Sequence, residues 1–389
     1  MKTQKDKQVL IITGTRATYG LWRPIIQEFV QHPRFELKVL ATGMHTVKKF
    51  GYTQNEIVND GFFTVIIPVK ESDDMLQCLT KEISGIRDYC LKNQVDVIGV
   101  LGDRDEELAG AIVGAHLKIP IFHIAGGDVT GPVIDEPIRH SVTHFSHIHF
   151  PTCQSGYERI LMLGEEEWRV FNVGAPGLAG LAEKEYLTRR ELADKYGINP
   201  EEKWFLVIHH PTPLDSISFV DQIIPLLEVM SHERGEKIVI YPNSDTGSNV
   251  FLEEIEFYRN VPDFHLFKSL NRDDYLAFMK NADVMIGNSS SGIVESTVFH
   301  TPTVNVGNRQ GDRERGVNVL SCNYGAESVN WAVRTAISEK FRQLCETAIS
   351  PYGDGKMASR VVEILDRYID DPNLLVKKIF ADNKKGVAK

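Results

Sequence analysis

The chain has 389 residues, 42% of them hydrophobic and 25% charged, with a net charge of −10. That length suits two domains, the composition suits a soluble globular enzyme, and the acidic balance argues against nucleic acid or an anionic membrane as the main partner. The five cysteines, Cys78, Cys90, Cys153, Cys322 and Cys345, are scattered and contain no CxxC pair, which speaks against a disulfide framework or a zinc site and for a reducing cytoplasm.

Behind a charged start, residues 9–13 read as a buried strand, too short for a signal peptide or membrane span. Gly14-Thr15-Arg16 follows, then a helix with Leu21, Ile25, Ile26, Phe29 and Val30 on one face. Further strands are expected at 35–41, 62–68, 95–101, 119–124 and 148–150, with helices at 75–91, 106–117 and 157–163. The Gly/Ala-containing stretch 173–186 reads as a linker. Beyond it, a capped helix at 188–196 precedes strands at 205–208, 238–241, 264–267, 283–286 and 303–306, with helices at 219–233, 248–258 and 273–280. Strands apolar on both faces that alternate with helices argue for parallel sheets covered on each side. The expectation is α/β: two Rossmann-like, doubly wound domains with a cleft between them, at 1–175 and 187–358. An amphipathic segment at 359–369 begins a tail, 359–389, expected to return to the first domain.

In open α/β sheets, ligands gather beyond the carboxyl ends of the strands. There, Arg16 is either a phosphate-binding cation or half of a surface ion pair. In Gly102-Asp103-Arg104-Asp105-Glu106, the last two acids are expected to cap the next helix, which leaves Asp103 as the catalytic candidate. HIAGGDVTGPVIDEPIRH, residues 123–140, crowds Asp128, Asp135, Glu136 and Arg139 with two histidines. Crowded carboxylates have divergent pKa values, so one can act as base and another as acid, although solvated loop acids read the same way. His209-His210 closes the first strand of the second domain; His210 can serve a leaving phosphate, and one of the pair reads equally as a core histidine. Asn243 lies in a polar strand-end turn. With no HExxH, Walker lysine motif or GxGxxG, neither a metal nor a cofactor is expected; His144, His147 and His149 read as structural.

ADVMIGNSSSGIVESTVFHTP, residues 282–302, reads as strand, polar turn and helix. Ser289, Ser290 and Ser291 offer consecutive hydroxyls at a helix start, a setting for a diphosphate, and Glu295 one turn on offers its carboxylate to a ribose. Serines that merely cap the helix are the other reading.

Seven colinear motifs, TGTRATYG, LGDRDE, GGDVTG with IDEPIRH, HHPTP, PNSDTGS, GNSSSGIVE and VGNRQGDRERGVNV, resemble the hydrolysing UDP-N-acetylglucosamine 2-epimerases of sialic acid synthesis. The resemblance implies a GT-B fold with the nucleotide on the second domain. It also implies anti elimination of UDP from UDP-N-acetylglucosamine to 2-acetamidoglucal, then addition of water to give N-acetylmannosamine. By analogy Ser289 and Ser290, beside Ser291, hold the diphosphate with Arg16; Glu295 holds the ribose, and Asn243 and Arg309 serve the nucleotide end. Asp103, Asp135 and His210 surround the sugar and its leaving group, with Glu136 counted among the binding residues. The family commonly has an acid where this chain has Thr18, and many members have one at Ala125, so Asp128 joins Asp103 and Asp135 as an expected acid/base group. The expected protein is a cytoplasmic homodimer or homotetramer whose partner is a nucleotide sugar. UDP- or GDP-linked N,N'-diacetylbacillosamine, on a legionaminic acid route, is the alternative substrate. A GT-B glycosyltransferase and a non-catalytic nucleotide-sugar sensor are the alternatives of other classes.

Overall fold

The apolar run at 9–12 lies inside β1 (Lys7–Thr13), which pairs in parallel with β2 (Phe35–Ala41) and with β4 (Val97–Leu101). The computed structural model describes residues 6–129, 135–242, 246–311, 313–378 and 380. With β3 (Thr64–Ile66), β5 (Ile121–Ile124) and β6 (Ile148–Phe150) these strands form a six-stranded parallel sheet in the order β3-β2-β1-β4-β5-β6. Alternate residues of β1 feed opposite layers, as the two-residue period of a strand requires. Val9 and Ile11 pack with Trp22 and Phe29 of the helix Arg16–Gln31, and Leu10 and Ile12 with Ala109 and Val113 of the helix Asp105–Leu117.

Two compact units divide the chain: one runs to Gly180 and resumes at Tyr352, and the other is Leu181–Pro351. The resumed segment supplies the helix Met357–Tyr368, whose Met357, Val361 and Leu365 complete the Val9 layer. Fully buried Arg169 fastens the chain beyond it, donating to the carbonyls of Leu374 at 2.7 Å, Asn373 at 3.2 Å and Val376 at 2.8 Å.

The second unit repeats the plan with β7 (Trp204–Ile208), β8 (Glu236–Ile240), β9 (Phe264–Phe267), β10 (Val284–Gly287), β11 (Thr303–Val306) and β12 (Val319–Cys322). Its order, β12-β11-β10-β7-β8-β9, is that of the first sheet read from the other edge, and all pairings are parallel. The winding therefore reverses once in each sheet, between β1 and β4 and between β7 and β10. At such switch points the connections diverge and leave the strand ends open to ligands. Thr188 and Glu191 close a capping box on the helix Arg189–Tyr196. No sequence expectation covers β12 or the helices Ala326–Ala336 and Glu339–Cys345.

Asp105 and Glu106 do not cap the helix Asp105–Leu117 as expected. The N-cap is Arg104, without a side-chain cap bond, and Glu106 folds back to pair with Arg104 at 3.2 Å. The Glu106 carboxylate also occupies the space a Cβ on Gly14 would need, its Oε1 lying 2.1 Å from that position. Glu82, Glu106 and Glu107 are all buried, and both Glu107 oxygens and Glu82 Oε2 lack hydrogen-bond partners. Burial, reinforced by the charge of Glu106, pushes the Glu82 carboxyl up to about 8 from an ordinary 4.5 and holds Glu107 well above its usual range.

Folded Glu82 thus keeps a proton that the unfolded chain has released, so it subtracts stability as pH rises from 4.5 to 8. In Glu82→Gln this contribution disappears. The urea midpoint of the variant should gain on the wild type steadily from pH 5 to 8.5, whereas a constant difference would show that Glu82 is ionised in the fold.

Candidate active site

At the first switch point, β4 leads into Gly102 and Asp103, and the helix Asp135–Phe145 sends back a buried guanidinium, Arg139. Arg139 pairs with the carboxylate of Asp103, donates to Glu136 Oε2 at 2.7 Å and donates to the Asp128 carbonyl at 2.8 Å. One cation thus gathers Asp103, Asp128 and Glu136. Asp128 further accepts at Oδ1 from the Thr152 hydroxyl at 2.9 Å. Asp135 opens the helix, close enough for its charge to bear on Arg104 and Asp105. His123 lies in β5 with Nε2 donating to the Gly102 carbonyl at 2.8 Å; burial drives its pKa down to about 3, so it acts as a neutral strut. Arg16 is largely exposed and paired with Glu56 at 2.9 Å, the surface arrangement named above as its alternative. An exposed pair of that kind is worth about 0–1 kcal/mol and holds Arg16 only loosely.

At the second switch point β10 runs so close to β7 that a Cβ on Gly287, whose φ is +135°, would stand 1.8 Å from the Ile208 carbonyl oxygen. Only glycine fits there. Asn288 follows, then Ser289, Ser290 and Ser291. Ser289 and Ser291 share a hydrogen bond at 2.9 Å, and Ser291 meets the Tyr275 hydroxyl. Ser290 is exposed and makes no side-chain cap bond, which weighs against the serines being mere caps.

The expected helix is shorter than its pattern suggests: one α-turn, Ser291–Val294, runs into a 3-10 turn, Ser296–Phe299. Ser296 donates its hydroxyl to the Gly292 carbonyl at 2.7 Å, and β-branched Val294, Thr297 and Val298 disfavour continuation. So short a helix carries little dipole, and anion affinity here must come from hydroxyls and local N–H groups. Glu295 is buried and paired with Arg272 at 2.7 Å.

The two histidines at the end of β7 separate. His209 is the core one: its ring is buried, stacks on Phe251 at 5.4 Å, lies 3.1 Å from the Gln222 carbonyl and has its pKa driven to about 3 by burial. His210 is half-buried, and its backbone is bound by the Asn288 side chain. Arg309 and Gln310 reach the same place, donating to the Asn288 carbonyl at 3.2 and 3.0 Å. Asn243 lies outside the described residues. His149 and His144 both lie 3.2 Å from buried Glu165, and His147 Nδ1 accepts from the Ile121 amide. The cysteines are free, and among the described residues no helix is long and apolar enough to cross a membrane.

Sequence reasoning named Arg139 in the 123–140 cluster without giving it a role, and it missed Asn288, Tyr275 and Arg272. Arg139 had a signal, being the one cation set three residues after Glu136 among acids; Asn288 had none beyond its place beside the serines.

A family model described as UDP-N-acetylglucosamine 2-epimerase matches residues 27–366. The chain is 35% identical over 364 residues to UDP-N,N'-diacetylbacillosamine 2-epimerase (hydrolyzing) of Legionella pneumophila, covering 92% of this chain and 95% of the relative. It is 32% identical to UDP-N-acetylglucosamine 2-epimerase of Neisseria meningitidis serogroup B, over 85% of this chain and 88% of that one. The crystal structure of the N. meningitidis UDP-GlcNAc 2-epimerase bound to UDP-GlcNAc superposes with a TM-score of 0.74 at 18% identity, covering 92% of this chain and 100% of that one. That likeness extends to the GT-B architecture of two parallel sheets. Family match, long-range identity and fold agree, and the chain belongs to the UDP-N-acetylglucosamine 2-epimerase family.

Proposed function

We propose that this chain is a hydrolysing nucleotide-sugar 2-epimerase acting on UDP-N-acetylglucosamine. The observation that carries the reading is the content of the two switch points: carboxylates gathered on Arg139 at one, hydroxyls with His210 and Arg309 at the other. The C1–O bond breaks first, because the C2 proton is not acidic, and its electron pair passes to the diphosphate. Ser289, Ser290, His210 and Arg309 stabilise that charge with groups already in place. A carboxylate of the first unit, Asp103 with Asp128 and Asp135 beside it, takes the C2 proton, giving 2-acetamidoglucal. Water then adds its oxygen to C1 while C2 receives a proton on the face opposite the one that lost its proton, which inverts C2. The balance is UDP-N-acetylglucosamine plus water to N-acetylmannosamine plus UDP.

The test is proton NMR in deuterium oxide with UDP-N-acetylglucosamine and no acceptor. Free N-acetylmannosamine deuterated at C2, with equimolar UDP, is expected. UDP-N-acetylmannosamine as the product would exclude hydrolysis, and turnover confined to UDP-N,N'-diacetylbacillosamine would reassign the sugar.

A further inference from the structure

We infer that Asn288 is a positioning residue for His210: it fixes the direction of the imidazole without touching substrate. The inference rests on the proposed role of His210 at the departing diphosphate. Asn288 is 1% exposed, and its side-chain amide grips one residue from both sides. Oδ1 accepts from the His210 N–H at 2.7 Å, and Nδ2 donates to the His210 carbonyl at 2.8 Å. A side chain thus does what a neighbouring strand would do, just where β7 has ended and no ladder continues. The backbone of Asn288 is bound as well, its N–H to the Ile208 carbonyl at 3.1 Å and its carbonyl to Arg309 and Gln310.

The contrast with His209 gives the clamp its purpose. His209 is oriented by its own ring, through Phe251 and the Gln222 carbonyl. His210 is half-buried at a strand end, and the clamp on its backbone fixes the point and direction from which its imidazole leaves the chain. Only an amide of this length offers one acceptor and one donor to the same residue; aspartate keeps the acceptor half and alanine keeps neither. Because Arg309 and Gln310 hold the backbone carbonyl, Asn288→Ala leaves their anchors in place and loosens His210 selectively.

Two measurements test the assignment on the full chain. In histidine-labelled protein, saturating UDP should shift the His210 ring resonances of the wild type. In Asn288→Ala that shift should be largely lost although UDP still binds, with Asn288→Asp intermediate. In kinetics, Asn288→Ala should lower kcat by about 10²-fold, the cost of a misplaced catalytic group, with a much smaller change in KM. The double variant Asn288→Ala/His210→Ala should be no slower than His210→Ala alone, because a residue acting through another has nothing left to act on. A further loss in the double variant, or an unchanged UDP-induced shift of His210, overturns the inference; Asn288→Asp decides it if the alanine variant does not fold. Wild-type protein that turns over no nucleotide sugar would defeat the functional reading alone, and the His210 spectra would still decide the positioning role.

Discussion

An Asp103→Asn enzyme is expected to release UDP from the nucleotide sugar ~10²–10⁴-fold more slowly than the wild type while binding UDP with unchanged affinity. Asparagine keeps an oxygen for Arg139, so the buried guanidinium stays bonded and the loop around it stays in place. What the substitution removes is the negative charge and the ability to take a proton. Asp135→Asn should behave similarly. Asp128→Asn is the discriminating case, since Asp128 already accepts from Thr152 and supplies a carbonyl to Arg139. Single-turnover rates set beside calorimetric UDP affinities check all three. A normal rate in Asp128→Asn would make that acid a brace for its loop, and a normal rate in Asp103→Asn would take the base away from the β4 end altogether.

The second large effect is expected on binding. Ser290→Ala combined with Glu295→Ala should weaken UDP binding by at least about 10²-fold, because each hydrogen bond to a charged group contributes about 1.5–3 kcal/mol. Ser290 is the hydroxyl of the turn left exposed, and Glu295 is held in a fixed pose by Arg272 and so presents a prepared group at little ordering cost. Arg16→Ala serves as the comparison, because that side chain is largely exposed in its surface pair with Glu56. Unchanged calorimetric affinity in the serine–glutamate double variant would remove the nucleotide from the β10 turn.

Elements whose stabilising contacts are local were legible in the sequence. Thr188 and Glu191 announce their capping box three residues apart, and the apolar strands 204–208 and 303–306 carry their burial on both faces in their composition. The Ser289–Ser291 turn was legible for the same reason. The helix after it was overextended, because apolar spacing does not reveal that Ser296 turns its hydroxyl back on Gly292. Long-range partners were invisible: Arg139 shows Glu136 within one helical turn, but Asp103 is 36 residues away. Asn288 and His210 are 78 apart, and nothing in either stretch names the other. Glu106 misled for a related reason. An acid in the first turn reads as a capping group, and only the fold buries it beside Gly14 and Arg104.

The return of the chain from Tyr352 into the first unit constrains the order of events during synthesis. The second unit is a continuous segment whose whole sheet has been synthesised before the helix Met357–Tyr368 exists. The first unit, although begun earlier, must wait with the Trp22 and Phe29 layer uncovered until Met357, Val361 and Leu365 arrive and the carbonyls of residues 373–376 reach Arg169. Nascent first-unit chains therefore present an apolar face to chaperones for the time taken to translate roughly 170 further residues, about ten to thirty seconds at about 5–20 residues per second.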